Sequence, residues 1–201
     1  VMDLPDLVAR EGPTIRAALK RLESKKIISF AQREDRTASN LQSLPASSKP
    51  HQANQEQQQA LDAICSGKPI PYLLHGVTGS GKTEVYLQAA RHYANQGKQT
   101  LILVPEIALT PLLIGRVKAR FGDQVAALHS GLRPSQRIRE WRRIRAGEVT
   151  VAVGARSALF APFPNLGLII VDEEHDDSYK QGDGLRYHAR DLAVLRGKFE
   201  D

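Results

Sequence analysis

The residues best equipped for chemistry form one run, Gly76-Val77-Thr78-Gly79-Ser80-Gly81-Lys82-Thr83. The run fits G-x-x-x-x-G-K-[ST], a loop that cradles phosphates. Glycines let the backbone turn tightly and aim its N–H groups at phosphate oxygens. A helix opening at Lys82 adds its positive dipole end. Lys82 is then placed to reach the β- and γ-phosphates of a nucleotide, and the Thr83 hydroxyl to ligate Mg²⁺. A second group, Asp172-Glu173-Glu174-His175, supplies carboxylates. Asp172 suits a Mg²⁺ held through its water shell. Glu173 suits the base that orients and deprotonates an attacking water. Alone, the first run could be a glycine-rich turn and the second an acidic helix start. Together they point to hydrolysis of a nucleotide, with ATP and Mg²⁺ as the expected cofactors and Lys82, Asp172 and Glu173 as the catalytic set.

Each group needs a strand before it. Tyr72-Leu73-Leu74 reads as the strand before the loop, and Leu166 to Val171 as the strand before Asp172. After the loop, Val85, Leu87, Ala89, Ala90 and Tyr93 recur at helical spacing among Glu84, Gln88, Arg91 and His92. Apolar runs at 100–105, 125–129 and 149–154 read as further strands. Helices are expected at 54–64, stopped by Gly67 and Pro69, at 107–121 and at 135–146. This alternation predicts an α/β fold, a parallel sheet with helices on both faces. Asp172 would then stand at the carboxyl end of a strand, where such sheets bind ligands.

The 201 residues are 41% hydrophobic and 25% charged, as in ordinary globular domains. No apolar run approaches the roughly 20 residues that span a bilayer, and the first residues, with Asp3, Asp6 and Arg10 and no long apolar core, are not expected to act as a signal peptide. A lone cysteine, Cys65, excludes an intrachain disulfide and a cysteine-rich zinc site within 1–201. Cytoplasmic residence, without a membrane partner, is the expectation. The net charge of +6 suggests an anionic partner, and nucleic acid fits. Arg133, Arg137, Arg139, Arg142, Arg143 and Arg145 crowd one helix against a single acid, Glu140. Such density can contact phosphates, although a solvated helix face would look the same.

The chain begins at Val1 and reads as a piece of something longer. Residues 1–36 read as helix, turn, basic helix and strand, the tail of a partial winged-helix DNA-binding domain. Residues 37–53, rich in Ser, Gln, Asn and Pro, read as a flexible linker. Residues 54–201 form the main domain.

D-E-x-H after an apolar strand, downstream of G-x-x-x-x-G-K-T, resembles the helicases of superfamily 2. Val104-Pro105-Glu106-Ile107-Ala108-Leu109-Thr110 and Gly154-Ala155-Arg156-Ser157-Ala158-Leu159-Phe160 resemble that family's DNA-contacting motifs. The loop sequence extended by Glu84-Val85-Tyr86, then His129-Ser130-Gly131-Leu132, His175 to Gln181 and Arg186 to Asp191, resemble a narrower group, the bacterial replication-restart helicases of the primosome. The resemblance implies a RecA-like first motor lobe, ATP-driven 3′-to-5′ movement on DNA, and action at stalled forks. It implies that Gln57 contacts adenine, that Arg156 and Ser157 hold DNA, and that an aromatic-rich loop from Ser178 to His188 couples DNA contact to hydrolysis. Within that loop Tyr179, Lys180, Arg186, Tyr187 and His188 offer stacking and charge to bases and phosphates. For either tyrosine a core role competes. Implied partners are forked and single-stranded DNA, single-strand-binding protein and primosome proteins. Leu185 replaces a tryptophan usual in the loop, and Ala155 replaces a threonine. The family's Ser-Ala-Thr motif, second lobe and zinc-binding cysteine cluster do not occur in 1–201. The expectation is therefore a piece that binds ATP and does not unwind DNA alone. Another superfamily 2 translocase of repair or restriction, or a non-catalytic DNA- or partner-binding module, is the alternative. No Asn-Lys-x-Asp base-reading motif supports a GTPase.

Overall fold

A computed structural model of the chain describes residues 15–25 and 52–200. The chain divides into two units, residues 1–42 and 43–201. In the first, α1 (Ile15–Ser24) forms where the basic helix is expected. Ile15 and Leu19 are half-buried, whereas Ala18 and Leu22 are exposed. The neighbouring helix and strand of the winged-helix reading, and most of the linker, lie outside the described residues.

The second unit is built on a four-stranded parallel sheet in the order β2-β3-β1-β4. Its strands are β1 (Gln99–Leu103), β2 (Val125–Leu128), β3 (Val151–Gly154) and β4 (Leu166–Val171). The helices are α2 (Gln55–Ile64), α3 (Lys82–Asn95), α4 (Pro111–Phe121), α5 (Pro134–Arg145) and α6 (Ala189–Phe199). The strands are largely apolar, as a sheet with helices on both faces requires, and the polar Gln99 and Thr100 at the start of β1 are buried. Alternation along each strand divides the core in two. Leu101 and Leu103, with Ala126, Leu128 and Ala152, point to Ile144 of α5 and to Ala189 and Ala193 of α6. Ile102, Val104, Val151 and Val153 point the other way, to Tyr86, Leu87 and Ala90 of α3 and to Val117 and Phe121 of α4. The next stripe of α3, Val85 and Ala89, packs on Leu61 of α2.

Register decides where the motifs emerge. Leu103 pairs with Gly154 on one side and Val171 on the other, and Leu128 also pairs with Gly154. The strand ends are thus level. The segments that follow them (from Val104, His129, Ala155 and Asp172) leave from one rim of the sheet.

Local signals set the helix starts. In α2, the Asn54 side chain accepts from Gln57 N at 2.8 Å, and Gln57 Oε1 accepts from Asn54 N at 3.0 Å, a reciprocal cap. Thr110 caps α4, with Pro111 at its first position. The helix expected from 107 therefore begins at Pro111, after a 3₁₀ turn at Glu106–Ala108.

The expected strand at Tyr72–Leu74 is not formed. The segment joins no ladder, and Leu73 is 77% exposed; only Leu74 packs, near Leu61, Val85 and Leu168. Three apolar residues just after Pro69 and Pro71 favour burial of one side chain without specifying a pairing edge.

Candidate functional site

The phosphate loop runs from Gly76 into α3. Gly79 and Gly81 have φ of +83° and +88°, in the left-handed region open to glycine. A Cβ on Gly81 would stand 2.5 Å from Gln57 Nε2. Gln57 is placed there because its Nε2 donates to the Ser80 carbonyl at 2.9 Å, while its Oε1 completes the α2 cap. One amide thus fastens a helix start to the loop. Among the described residues, the backbone N–H groups of Gly79, Gly81, Lys82 and Thr83 meet no protein acceptor. Lys82 Nζ folds over the loop and donates to the carbonyls of Gly76 at 2.6 Å and Val77 at 3.2 Å. Free N–H groups, a helix N-terminus and an ammonium held only by neutral carbonyls form a donor set that fits a polyphosphate.

Asp172 follows β4, and its N–H donates to the Leu103 carbonyl at 2.9 Å, so the chain still tracks β1. One carboxylate oxygen accepts from the Glu173 N–H at 3.1 Å and the other from the Tyr86 hydroxyl at 3.3 Å. Burial, then the Glu173 charge, raises the Asp172 pKa; Tyr86, the Glu173 N–H and the Lys82 ammonium act against that rise. A group with this balance gains from a nearby cation, and an oxygen pair of Thr83 and Asp172 suits Mg²⁺. Burial foremost, then the Asp172 charge, raises the Tyr86 pKa, and the Thr83 hydroxyl acts against that rise.

The other members of the acidic group diverge. Glu173 is exposed and has φ of +48°, alone among described non-glycine residues in positive φ. Its carboxylate lies 3.9 Å from His175 Nε2. Glu174 accepts from Arg190 of α6 at 2.9 Å, and Asp176 accepts from the Ser178 N–H at 2.8 Å.

Beyond Asp176 the chain makes a short hairpin, β5 (Lys180–Gln181) paired with β6 (Tyr187–His188). Leu185 and Arg186 are exposed near its tip. At its root, Arg156 donates to the carbonyls of Ser178 at 3.2 Å and Lys180 at 2.8 Å. The Phe160 and Tyr187 rings meet edge-on with centroids 5.2 Å apart, and 47% of Phe160 is exposed.

The sequence pattern of the DEAD/DEAH box helicases matches residues 54–199. The chain belongs to that family. It is similar to replication restart protein PriA of Bacillus subtilis, 43% identical over 198 residues that cover 95% of this chain and 24% of the relative. It is 42% identical to replication restart protein PriA of Synechocystis over 200 residues, covering 99% of this chain and 24% of the relative. The chain thus spans about a quarter of the length of these relatives. Among solved structures it is similar to RecG bound to a three-way DNA junction, with a TM-score of 0.57 and 28% identity over 83% of this chain and 24% of that one. The parallel sheet with helices on both faces is the first lobe of a helicase motor.

In this helicase chain, Gln57, the loop Gly76–Thr83 and Asp172 gather on the level rim, with Glu173 beside them. Arg156 and Ser157 leave the same rim, but the Arg156 guanidinium is engaged with hairpin carbonyls, and Ser157 is exposed. Lys180 and Arg186 are exposed, and Tyr187 and His188 half-buried. Tyr179 is a correction: its ring is fully buried in the main core, and its hydroxyl donates to the Asp172 carbonyl at 2.6 Å. A ring enclosed this way offers no face to a base, and the competing core role holds. Two residues escaped the sequence reading. Tyr86 entered only as the end of Glu84-Val85-Tyr86 in the resemblance, without a role, and its place one turn beyond Thr83 was the available signal. Phe160 ends a motif otherwise read for Arg156 and Ser157.

Proposed function

We propose that this chain is the ATP-binding first lobe of a DNA helicase that moves 3′ to 5′ and remodels stalled or branched forks so that replication restarts. The observation that carries the nucleotide reading is the loop itself: glycines in the left-handed region, backbone N–H groups without a protein acceptor among the described residues at the start of α3, and the Lys82 ammonium folded over the Gly76 and Val77 carbonyls. The loop N–H groups and Lys82 bind the phosphates. Thr83 and Asp172 hold Mg²⁺, which neutralises charge on the β- and γ-phosphates when bound. Glu173, exposed at the rim, orients and deprotonates the attacking water. Gln57, fastened to the loop through the Ser80 carbonyl, contacts the adenine. The DNA reading rests on the exposed Phe160, Arg186 and Lys180, on the arginines of α5, and on similarity to restart helicases and to a junction-bound relative.

Titration of this chain with a fluorescent ATP analogue tests the reading. The wild type should bind in the presence of Mg²⁺, and Lys82→Ala should weaken binding by at least about tenfold through loss of a charge-assisted contact. Equal binding by wild type and Lys82→Ala, or none by the wild type, refutes it. In a two-lobed protein containing these residues, Lys82→Ala should abolish hydrolysis stimulated by forked DNA.

A further inference from the structure

Thr83 and Asp172, the residues suited to Mg²⁺, stand on different elements, and one side chain, a turn along α3 from Thr83, bonds to Asp172. Tyr86 is 6% exposed, with its ring packed among Ile102, Val104 and Val153. Its hydroxyl donates to an Asp172 carboxylate oxygen at 3.3 Å, and Thr83 stands one turn earlier on the same helix.

The chemistry of a hydroxyl ligand makes this arrangement informative. A threonine that ligates a cation must turn an oxygen lone pair to the metal and send its proton elsewhere. A carboxylate that receives a water from the metal must not spin about its terminal torsion, which is broad when unrestrained. A phenol has one proton to give and lone pairs to receive. Tyr86 gives its proton to Asp172 and has a lone pair for Thr83. The second Asp172 oxygen is held by the Glu173 N–H, so both carboxylate oxygens are fixed by one donor each.

Building on the nucleotide reading above, we infer that Tyr86 is a positioning residue for the cation: its hydroxyl joins Thr83 to Asp172 and aligns both for Mg²⁺–nucleotide. The ring belongs to the core, and the hydroxyl belongs to the site. The loop N–H groups and Lys82 act on the phosphates without Tyr86, so binding of metal-free nucleotide should be indifferent to it.

The test is Tyr86→Phe in this chain, which keeps the ring and removes one oxygen. Binding of a fluorescent ATP analogue is measured with excess EDTA and with Mg²⁺. In EDTA the variant should match the wild type within about twofold, while the gain in affinity on adding Mg²⁺ should fall by about 3- to 10-fold, the size of one hydrogen bond. An undiminished Mg²⁺ gain overturns the inference and leaves the nucleotide reading standing; no binding by the wild type defeats that reading instead. If Tyr86→Phe does not fold, 3-fluorotyrosine placed at 86 supplies the readout. Its ¹⁹F resonance should move on addition of Mg²⁺–ADP and stay in place with ADP and EDTA. Identical spectra in the two conditions overturn the inference.

Discussion

The hydroxyl of Tyr179 donates to the main-chain carbonyl of Asp172 at 2.6 Å. The root of the β5–β6 hairpin is therefore bonded to the residue suited to the metal. Arg156 grips the same root through the Ser178 and Lys180 carbonyls. The hairpin root and Asp172 are thus joined by one part-buried hydrogen bond.

Tyr179→Phe should cost about 1 to 2 kcal/mol of stability, because a buried carbonyl loses its donor. Tyr179→Ala should cost about 3 to 5 kcal/mol, through the cavity left by the ring. Urea denaturation of the two variants measures both. A Tyr179→Ala cost under about 1 kcal/mol would mean that the ring is not enclosed.

Arg120 makes a two-pronged ion pair with Glu84, at 2.9 and 3.0 Å, and only 6% of its side chain is exposed. It ties the end of α4 to the first turn of α3, next to Thr83. Arg120→Ala should destabilise the fold by about 3 kcal/mol by removing the cation that balances the Glu84 carboxylate, which still accepts from Gln88 at 2.8 Å. Adding Glu84→Gln should restore part of that loss, since the unbalanced charge is removed. Denaturant midpoints of the single and double variants give the coupling.

Tyr187 is braced edge-on by Phe160. Tyr187→Ala should weaken binding of single-stranded DNA by about 1 to 3 kcal/mol, the range for one stacking contact. ATP-analogue affinity should stay within about twofold, because the ring packs with Phe160 and the main core. Fluorescence anisotropy with a labelled oligonucleotide reads the first quantity and the nucleotide titration the second.

Arg139, Arg142 and Arg145 are exposed along α5, and among the described residues Arg142 and Arg145 have no ion-pair partner. Glu140 is turned inward and held by Arg143 at 2.7 Å. Replacing the three arginines with alanine should weaken DNA binding and lower the slope of log affinity against log salt by about 2 to 3, one unit per phosphate contact. An unchanged slope would make α5 a merely solvated face.

The strands of the sheet were legible because burial on both faces demands continuous apolar runs, and Thr100 to Val104 or Leu166 to Val171 can hardly be anything else. The phosphate loop was legible because its chemistry resides in the backbone and in Lys82 and Thr83, which are adjacent in the chain. Tyr179 was misread as a stacking surface because its neighbours Asp177, Ser178, Lys180 and Gln181 are polar; its burial comes from the distant Ala189 and Leu159. The Arg120–Glu84 pair joins elements that meet only after folding, and no local pattern announces it. Tyr72–Leu74 has strand-like composition, yet pairing requires a neighbour that composition cannot specify.

The left-handed backbone at Glu173 bears on how this protein could be improved. A side chain at φ of +48° costs about 1 kcal/mol or more relative to glycine. A search that ranked substitutions by stability alone would therefore put glycine at 173 and erase the carboxylate beside Asp172. Stabilisation of this chain for use at higher temperature has to exempt that position from the ranking.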